Sequence, residues 1–207
     1  MKFLIDTQQD TLRKRMETSS LILGQLLTPL TGYSDWGGIY AIDNGAFSGF
    51  DKVKFCRLLK RQEARRSDCL FVTVPDLVGA GRRTVELFRH RLEVLPELAE
   101  WPVALVVQDG IEDADIPWSE LAAIFVGGKD PWKDSAAAAD VVKTAKILGK
   151  WSHVGRVNTP RRFDHFSEIG ADSCDGSGIA MYDHMLHKIE YRNDCIRTLF
   201  ETREVPE

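Results

Sequence analysis

The chain has 207 residues, which suffices for one domain with a hydrophobic core of its own. Hydrophobic residues make up 43% of it and charged residues 28%, and 27 Lys and Arg against 31 Asp and Glu give a net charge of −4. These values exclude a disordered chain and a protein that coats nucleic acid by bulk positive charge, so any nucleic-acid site has to be a local basic patch. We expect residues 1–207 to form a single catalytic domain.

The cysteines and the N-terminus bear on the compartment. Cys56, Cys69, Cys174 and Cys195 form no CxxC pair and no zinc-like array with His, and a secreted disulfide scaffold would be shorter and richer in cysteine. The N-terminal segment is too short in apolar residues for a signal peptide, and no stretch approaches about 18 consecutive apolar residues. We therefore expect a reduced, cytoplasmic protein that does not span a membrane.

Eight short apolar runs lack polar alternation and predict buried strands. They cover Lys2–Asp6, Leu21–Leu27, Ile39–Asp43, Cys69–Val74, Val103–Gln108, Ala123–Val126, His153–Val157 and Ala171–Cys174. Helical patterns lie between most of them, over Asp51–Arg66, Arg83–Ala99, Asp134–Leu148 with Asp134 as N-cap, a short helix from Thr159-Pro160, and Asp183–Glu201. The alternation predicts an α/β fold, a compact (β/α)8 barrel of the TIM type, with an open doubly wound parallel sheet as the alternative.

Polar residues or glycines follow nearly every predicted strand. Parallel α/β folds place their chemistry at the carboxyl ends of the strands. Taken singly, each of these residues is explained as well by a turn or a helix cap. Their common position predicts a site at one end of the sheet, formed from Asp43, Asp76, Gln108, Gly127, Gly128, Asn158, Asp172 and Asp175.

Basic residues also follow the strands. Facing solvent and contacting phosphate are equally good interpretations for Arg82, Arg83, Lys129, Lys133, Arg156, Arg161 and Arg162. Carboxylates surrounded by cations suit a substrate that is neutral where the chemistry occurs and anionic around it, as a nucleotide in a polynucleotide is. The basic residues of Lys52–Arg66 we interpret instead as a solvated helix face.

Five segments stand in the order of the motifs of one family. Ala41–Phe50 (AIDNGAFSGF) is similar to T-D-S-G-G-F-Q, and Val74–Asp76 lies where that family has an Asp that reads the base. Val106–Gly110 (VVQDG) is similar to V-Q-G-G, and Phe125–Lys129 (FVGGK) to G-G-L/F. Gly155–Gly176 is similar to M-G-V-G-T-P, nine residues, and G-V-D-M-F-D-C. The chain thus resembles the tRNA-guanine transglycosylases, and more closely their small relatives that insert 7-deazaguanines into DNA.

The resemblance implies a pentosyltransferase that exchanges a base at C1′. Asp175 would be the nucleophile and Asp43 the general acid/base, as in retaining glycoside hydrolysis with a base in place of water. Asp172 competes with Asp175, because the small DNA-acting relatives have an A-D-S segment there. Asp76 would accept hydrogen bonds from the base, with the other base-binding candidates being Gln108, Gly127, Gly128 and Asn158. The nucleic acid would contact Arg82, Arg83, Lys129, Arg161 and Arg162.

The chain also departs from that family. Its residues include no cluster of three Cys and a His like that of the C-terminal zinc subdomain of the RNA-acting members, and Asn44 and Ala46 replace small residues of the first motif. We therefore expect no metal and no cofactor. The expected partners are DNA, with tRNA or a free nucleoside as the alternative, and a free 7-deazaguanine base. Competing functions are a glycosidase or phosphosugar isomerase that uses the same carboxylates, and a non-catalytic nucleic-acid-binding relative.

Overall fold

The structure, a computed structural model, describes residues 1–6, 10–30, 35–178, 182 and 184–191. Eight parallel strands close into a barrel in chain order, and the last pairs with the first. The strands are β1 (Lys2–Ile5), β2 (Ile22–Leu27), β3 (Tyr40–Ile42), β4 (Cys69–Thr73), β5 (Val103–Val107), β6 (Ala123–Val126), β7 (Trp151–Val154) and β8 (Ser173–Cys174). This confirms the (β/α)8 barrel over the open sheet, and each predicted strand is present.

Helices surround the barrel. They are α1 (Asp10–Met16), α2 (Lys52–Gln62), α3 (Gly81–Arg89), α4 (Arg91–Val94), α5 (Asp130–Lys133), α6 (Ala136–Ile147), α7 (Pro160–Glu168) and α8 (184–191). The patterns did not predict α1 and α5. The remainder of the predicted Asp183–Glu201 helix, residue 183 and residues 192–201, lies outside the described residues. None of the helices in the described ranges has the length and apolar character to cross a bilayer.

Two helix predictions need correction. The helix predicted over Arg83–Ala99 is instead three elements: α3, α4 and a 3₁₀ turn over Pro96–Leu98. Helix α4 ends before Pro96 because a residue that precedes a proline, here Leu95, is disfavoured in the helical region. Helix α6 has Ser135 as its N-cap, with the hydroxyl accepting a hydrogen bond from Ala138 N, and not Asp134. The predicted cap of α7 is confirmed, since Thr159 Oγ1 accepts from Arg162 N at 3.3 Å.

Alternate residues of each strand face the inside of the barrel. The inward-facing residues farther from the carboxyl ends of the strands form an apolar inner cluster, which includes Leu4, Ala41, Phe71, Ala104 and Ala123. Residues of the opposite parity pack against the helices and form the larger core. An inward-facing residue just beyond the end of a strand therefore points toward the mouth of the barrel.

Asp172 lies at the amino end of β8 and has the outward parity, so it does not reach the mouth. Its carboxylate accepts hydrogen bonds from Ser152 N at 2.8 Å and from Ser152 Oγ at 2.9 Å. The expectation that Asp172 competes with Asp175 as nucleophile is thereby corrected: its side chain ties β7 to β8 at the opposite end of the barrel.

Asp172→Ala should lower the free energy of unfolding by about 1.5–3 kcal/mol, because it leaves two donors of Ser152 without their charged acceptor. Urea denaturation measures this change. Asp140→Ala, which removes an exposed carboxylate on α6, is the control and should stay within about 0.5 kcal/mol of the parent chain. Equal effects of the two substitutions would contradict the structural role.

Candidate active site

A small cavity opens at the carboxyl ends of the strands. Its volume is about 100 Å³, which suits one ring-sized group, since pockets for drug-sized ligands measure roughly 300–1,000 Å³. Six of the residues predicted from the sequence line it: Asp43, Asp76, Gln108, Gly127, Gly128 and Asp175. The structure thus brings residues from the ends of five strands to one place.

Asp43 follows β3 and has few hydrogen-bond partners. Its Oδ1 accepts from Thr73 Oγ1 at 3.3 Å and from Gly45 N at 3.4 Å, both long contacts. Burial raises the pKa of Asp43 to about 6, and the negative charge of Asp175 adds to this shift. A carboxyl group in this state exchanges protons near neutral pH, as a general acid/base must.

Asp175 follows β8 and is buried. Its Oδ1 accepts hydrogen bonds from His153 Nε2 at 3.0 Å and from Arg156 N at 3.2 Å. The two donors hold one side of the carboxylate, while the group as a whole faces the cavity. The side chain of Asp175 is therefore held by two contacts on one oxygen, whereas the contacts of Asp43 are long.

Asp76 is held by two side-chain amides. Its Oδ1 accepts from Asn44 Nδ2 at 3.0 Å and its Oδ2 from Gln108 Nε2 at 3.2 Å. Burial raises the pKa of Asp76, and these two hydrogen bonds oppose the shift. Each oxygen keeps acceptor capacity for a ligand, because a carboxylate oxygen can accept more than one hydrogen bond.

Gln108 lines the cavity, yet its amide is occupied by the protein. Besides Asp76, its Nε2 contacts Leu77 O at 2.9 Å and Thr84 Oγ1 at 2.8 Å, and its Oε1 accepts from Gly79 N. The expectation that Gln108 binds the base directly is therefore revised: in this structure its amide orients Asp76.

The glycine pair after β6 has a packing reason. Gly128 has a φ of 78°, in the left-handed region, and a Cβ there would come within 2.8 Å of Asp109 Oδ2. A Cβ on Gly127 would come within 3.0 Å of Val106 Cγ1. Backbone therefore forms this wall of the cavity, and any larger residue would intrude.

Lys133, for which the sequence left solvent exposure and phosphate contact open, is instead buried at the cavity. Its Nζ donates to Gly155 O at 2.7 Å. Burial lowers the pKa of Lys133 to about 8, and the charge of Asp175 opposes the shift. Its ammonium group is thus close enough to Asp175 to offset part of the negative charge of that residue.

Asp6, at the end of β1, was not predicted as a site residue. Burial raises its pKa to about 7, with further contributions from the charges of Asp175 and Asp43. Its Oδ1 is buried and has no hydrogen-bond partner among the described residues. The sequence signal was available, since Asp6 ends its strand as Asp43 does.

Phe47 and Arg156 form one side of the mouth. The ring of Phe47 is 69% exposed, and the guanidinium carbon of Arg156 lies 4.2 Å from the ring centroid. Arg156 has a φ of 61°, which is uncommon for a residue with a side chain. An exposed aromatic face at a cavity mouth offers a surface on which a planar group can stack.

The other predicted residues lie outside the cavity. Asn158 is exposed, and its Oδ1 accepts from Gly178 N at 3.1 Å, which holds the segment after β8. Arg162 forms ion pairs with Asp130 at 3.1 Å and Asp134 at 2.9 Å, so its charge is already neutralised. The expectation of phosphate contact is corrected for Arg162. Exposed cations remain at Arg82, Arg83, Lys129 and Arg161.

A basic groove of about 270 Å³ lies along α2. The segment that follows β2, with Pro29 and Leu30, forms its apolar side together with Leu58, and its cations are Lys54, Arg57 and Arg61. No carboxylate in the described ranges pairs with Arg57 or Arg61. Lys54, Arg57 and Arg61 are exposed, as predicted for a solvated helix face, and they border the apolar side of the groove.

A scan against models of protein families gives no match for this chain, and a search of curated proteins gives none either.

Proposed function

We propose that this protein is a base-exchange transglycosylase that replaces guanine in a polynucleotide, DNA in the first place, with a 7-deazaguanine. The observation that carries the proposal is the carboxylate pair in one cavity, with Asp175 oriented by two N–H donors and Asp43 holding a raised pKa of about 6. Two carboxyl groups in different environments are the arrangement that covalent glycosyl transfer needs. The motif order over Ala41–Gly176 favours a base as the acceptor.

The reaction proceeds in two halves. Asp175 attacks C1′, the bond from C1′ to guanine N9 breaks with its electron pair going to the base, and Asp43 supplies a proton to the leaving guanine. Asp43, now ionised, then takes the N9 proton of the incoming 7-deazaguanine. That N9 attacks C1′, and Asp175 leaves with the electron pair of the ester bond. Two displacements retain the configuration at C1′.

The cavity supports a planar base as the group that enters it. Asp76 offers carboxylate acceptors, which match the N1–H and 2-amino donors of guanine and of 7-deazaguanines. Val106 and Phe125 supply apolar surface, and Phe47 an aromatic face at the mouth. A duplex base would have to be flipped out to reach Asp175.

A polynucleotide is favoured by cations near the mouth. The chain is acidic overall, so attraction to a phosphate backbone has to be local. Lys129 follows β6, Arg82 and Arg83 begin the helix after β4, and the α2 groove adds Arg57 and Arg61.

Substitution of the two carboxylates tests the reaction. Asp175→Ala should abolish exchange of labelled guanine into a DNA oligonucleotide and abolish the protein–DNA adduct on denaturing gels. Asp43→Asn should bind DNA but lose proton transfer, which contributes about 10²–10⁴-fold. Asp172→Ala is the control and should form the adduct. Release of guanine without incorporation would indicate hydrolysis and contradict the proposal.

The pH dependence tests Asp43. Its acid form, which the first half-reaction requires, is present below about pH 6 and is lost as the pH rises through the pKa of about 6. Base release in a single turnover should therefore slow above pH 6, approaching about tenfold per pH unit. Asp43→Asn should lack this limb. A parent chain whose release accelerates between pH 6 and 7 would refute the assignment.

The α2 groove is tested by the salt dependence of DNA binding. Arg57→Ala and Arg61→Ala should each weaken binding to oligonucleotides of any sequence and reduce the slope of log K against log salt by about 0.9 for duplex DNA. Lys143→Ala, on the outer helix α6, should leave both unchanged. If the variant that carries both Arg57→Ala and Arg61→Ala binds DNA as the parent chain does, the groove does not contact DNA.

A further inference from the structure

His153 lies inside the barrel, directly beneath Asp175. It is fully buried, and its ring packs between Phe71 and Phe125, with centroid separations of 5.2 and 4.8 Å. It faces inward like Trp151, which lies two residues before it on β7 and packs against the inner cluster. The sequence showed it only as one residue of a predicted strand.

A chain of three hydrogen bonds runs through His153. Trp151 Nε1 donates to Ser173 Oγ at 2.8 Å, Ser173 Oγ lies 2.9 Å from His153 Nδ1, and His153 Nε2 lies 3.0 Å from Asp175 Oδ1. Trp151 and His153 share the inward face of β7, and Ser173 and Asp175 follow the same parity on the neighbouring β8, so the register of the barrel brings them into contact.

The donors and acceptors that are present fix the direction of these three hydrogen bonds. An indole N–H only donates, so Ser173 Oγ is the acceptor in its bond with Trp151. The hydroxyl proton of Ser173 then points to His153 Nδ1, the other polar atom that Ser173 Oγ contacts in the described part of the chain. An imidazole whose Nδ1 accepts carries its proton on Nε2. That proton faces Asp175 Oδ1.

The two oxygens of Asp175 consequently differ. Oδ1 receives donors from His153 Nε2 and from Arg156 N, whereas Oδ2 has no hydrogen bond within the residues that the structure describes. An oxygen with two donors has fewer electrons available for bonding to carbon than one with none. The free oxygen is therefore the better nucleophile.

We propose that His153 is the positioning residue of this site: held as the Nε2–H tautomer by Ser173 and Trp151, it fixes Asp175 through Oδ1 and leaves Oδ2 to bond with the sugar. The role of Oδ2 in bonding to the sugar rests on the proposed function. The Oδ2–C1′ bond forms while the bond from C1′ to the base breaks. The proton for the base comes from Asp43, and His153 transfers none.

The first experiment compares three variants by single-turnover adduct formation with a guanine-containing DNA oligonucleotide. His153→Phe keeps a ring between Phe71 and Phe125 but removes the donor, and we expect about a 10²-fold slower reaction with DNA affinity within twofold. His153→Gln restores an N–H donor and should recover at least a tenth of the parent rate. Ser152→Ala, a buried serine of outward parity, is the control and should react at the parent rate.

A folded His153→Phe variant that forms the adduct at the parent rate would overturn the proposal. So would a folded His153→Gln variant no faster than His153→Phe, because rescue by a donor is what separates positioning from packing. Thermal unfolding followed by circular dichroism shows which variants are folded.

The second experiment does not depend on catalysis. Long-range ¹⁵N–¹H spectra of the unsubstituted protein should show one histidine as an Nε2–H tautomer, with signals that vanish in His153→Gln. An Nδ1–H tautomer or a doubly protonated ring would overturn the proposal. The expected tautomer in a protein that forms no DNA adduct would refute the proposed function and the role of Oδ2, while the hydrogen-bond chain to Asp175 would stand.

Discussion

The alternation of side chains along the strands determines what this barrel can do. In a closed sheet every strand has to send alternate residues inward, and the last inward residue at the carboxyl end has no further layer above it. Asp6, Asp43 and Asp175 occupy this position on three strands. They face one another because the barrel closes. The same parity excludes Asp172, which lies three residues from Asp175 and faces the helices at the other end of β8.

These carboxyl groups lie close together and repel one another when ionised, and the effect on the pKa differs from one group to the next. Burial and mutual repulsion raise the pKa of Asp6 to about 7 and that of Asp43 to about 6, so neither is fully ionised under mildly acidic conditions. Asp175 has other surroundings, because two N–H groups contact its Oδ1 and the charge of the buried Lys133 interacts with its own. One cavity thereby holds carboxyl groups in unlike environments, as an acid and a nucleophile require.

The sequence predicts the strands well because a buried parallel strand is a continuous apolar run, a local property. It predicts Asp43, Asp76 and Asp175 because they end such runs. It fails where a contact joins distant segments. The acids that neutralise Arg162 lie 28 and 32 residues away, and Ser173 lies 20 residues from His153. Strand length also escaped prediction: β8 has only two residues, so Asp172, which the predicted strand included, precedes it.

Arg162 also links the outer helices to the candidate site. Its guanidinium donates hydrogen bonds to Asp130, the first residue of α5, and to Asp134, which directly follows α5. These bonds attach a helix of four residues to α7. Lys133 is the last residue of that helix, and its ammonium reaches inward to the Gly155 carbonyl at the cavity. A helix this short has little rigidity of its own. Ion pairs on the exterior of the barrel therefore stabilise α5, and the shape of the cavity is maintained partly by charges that face the solvent.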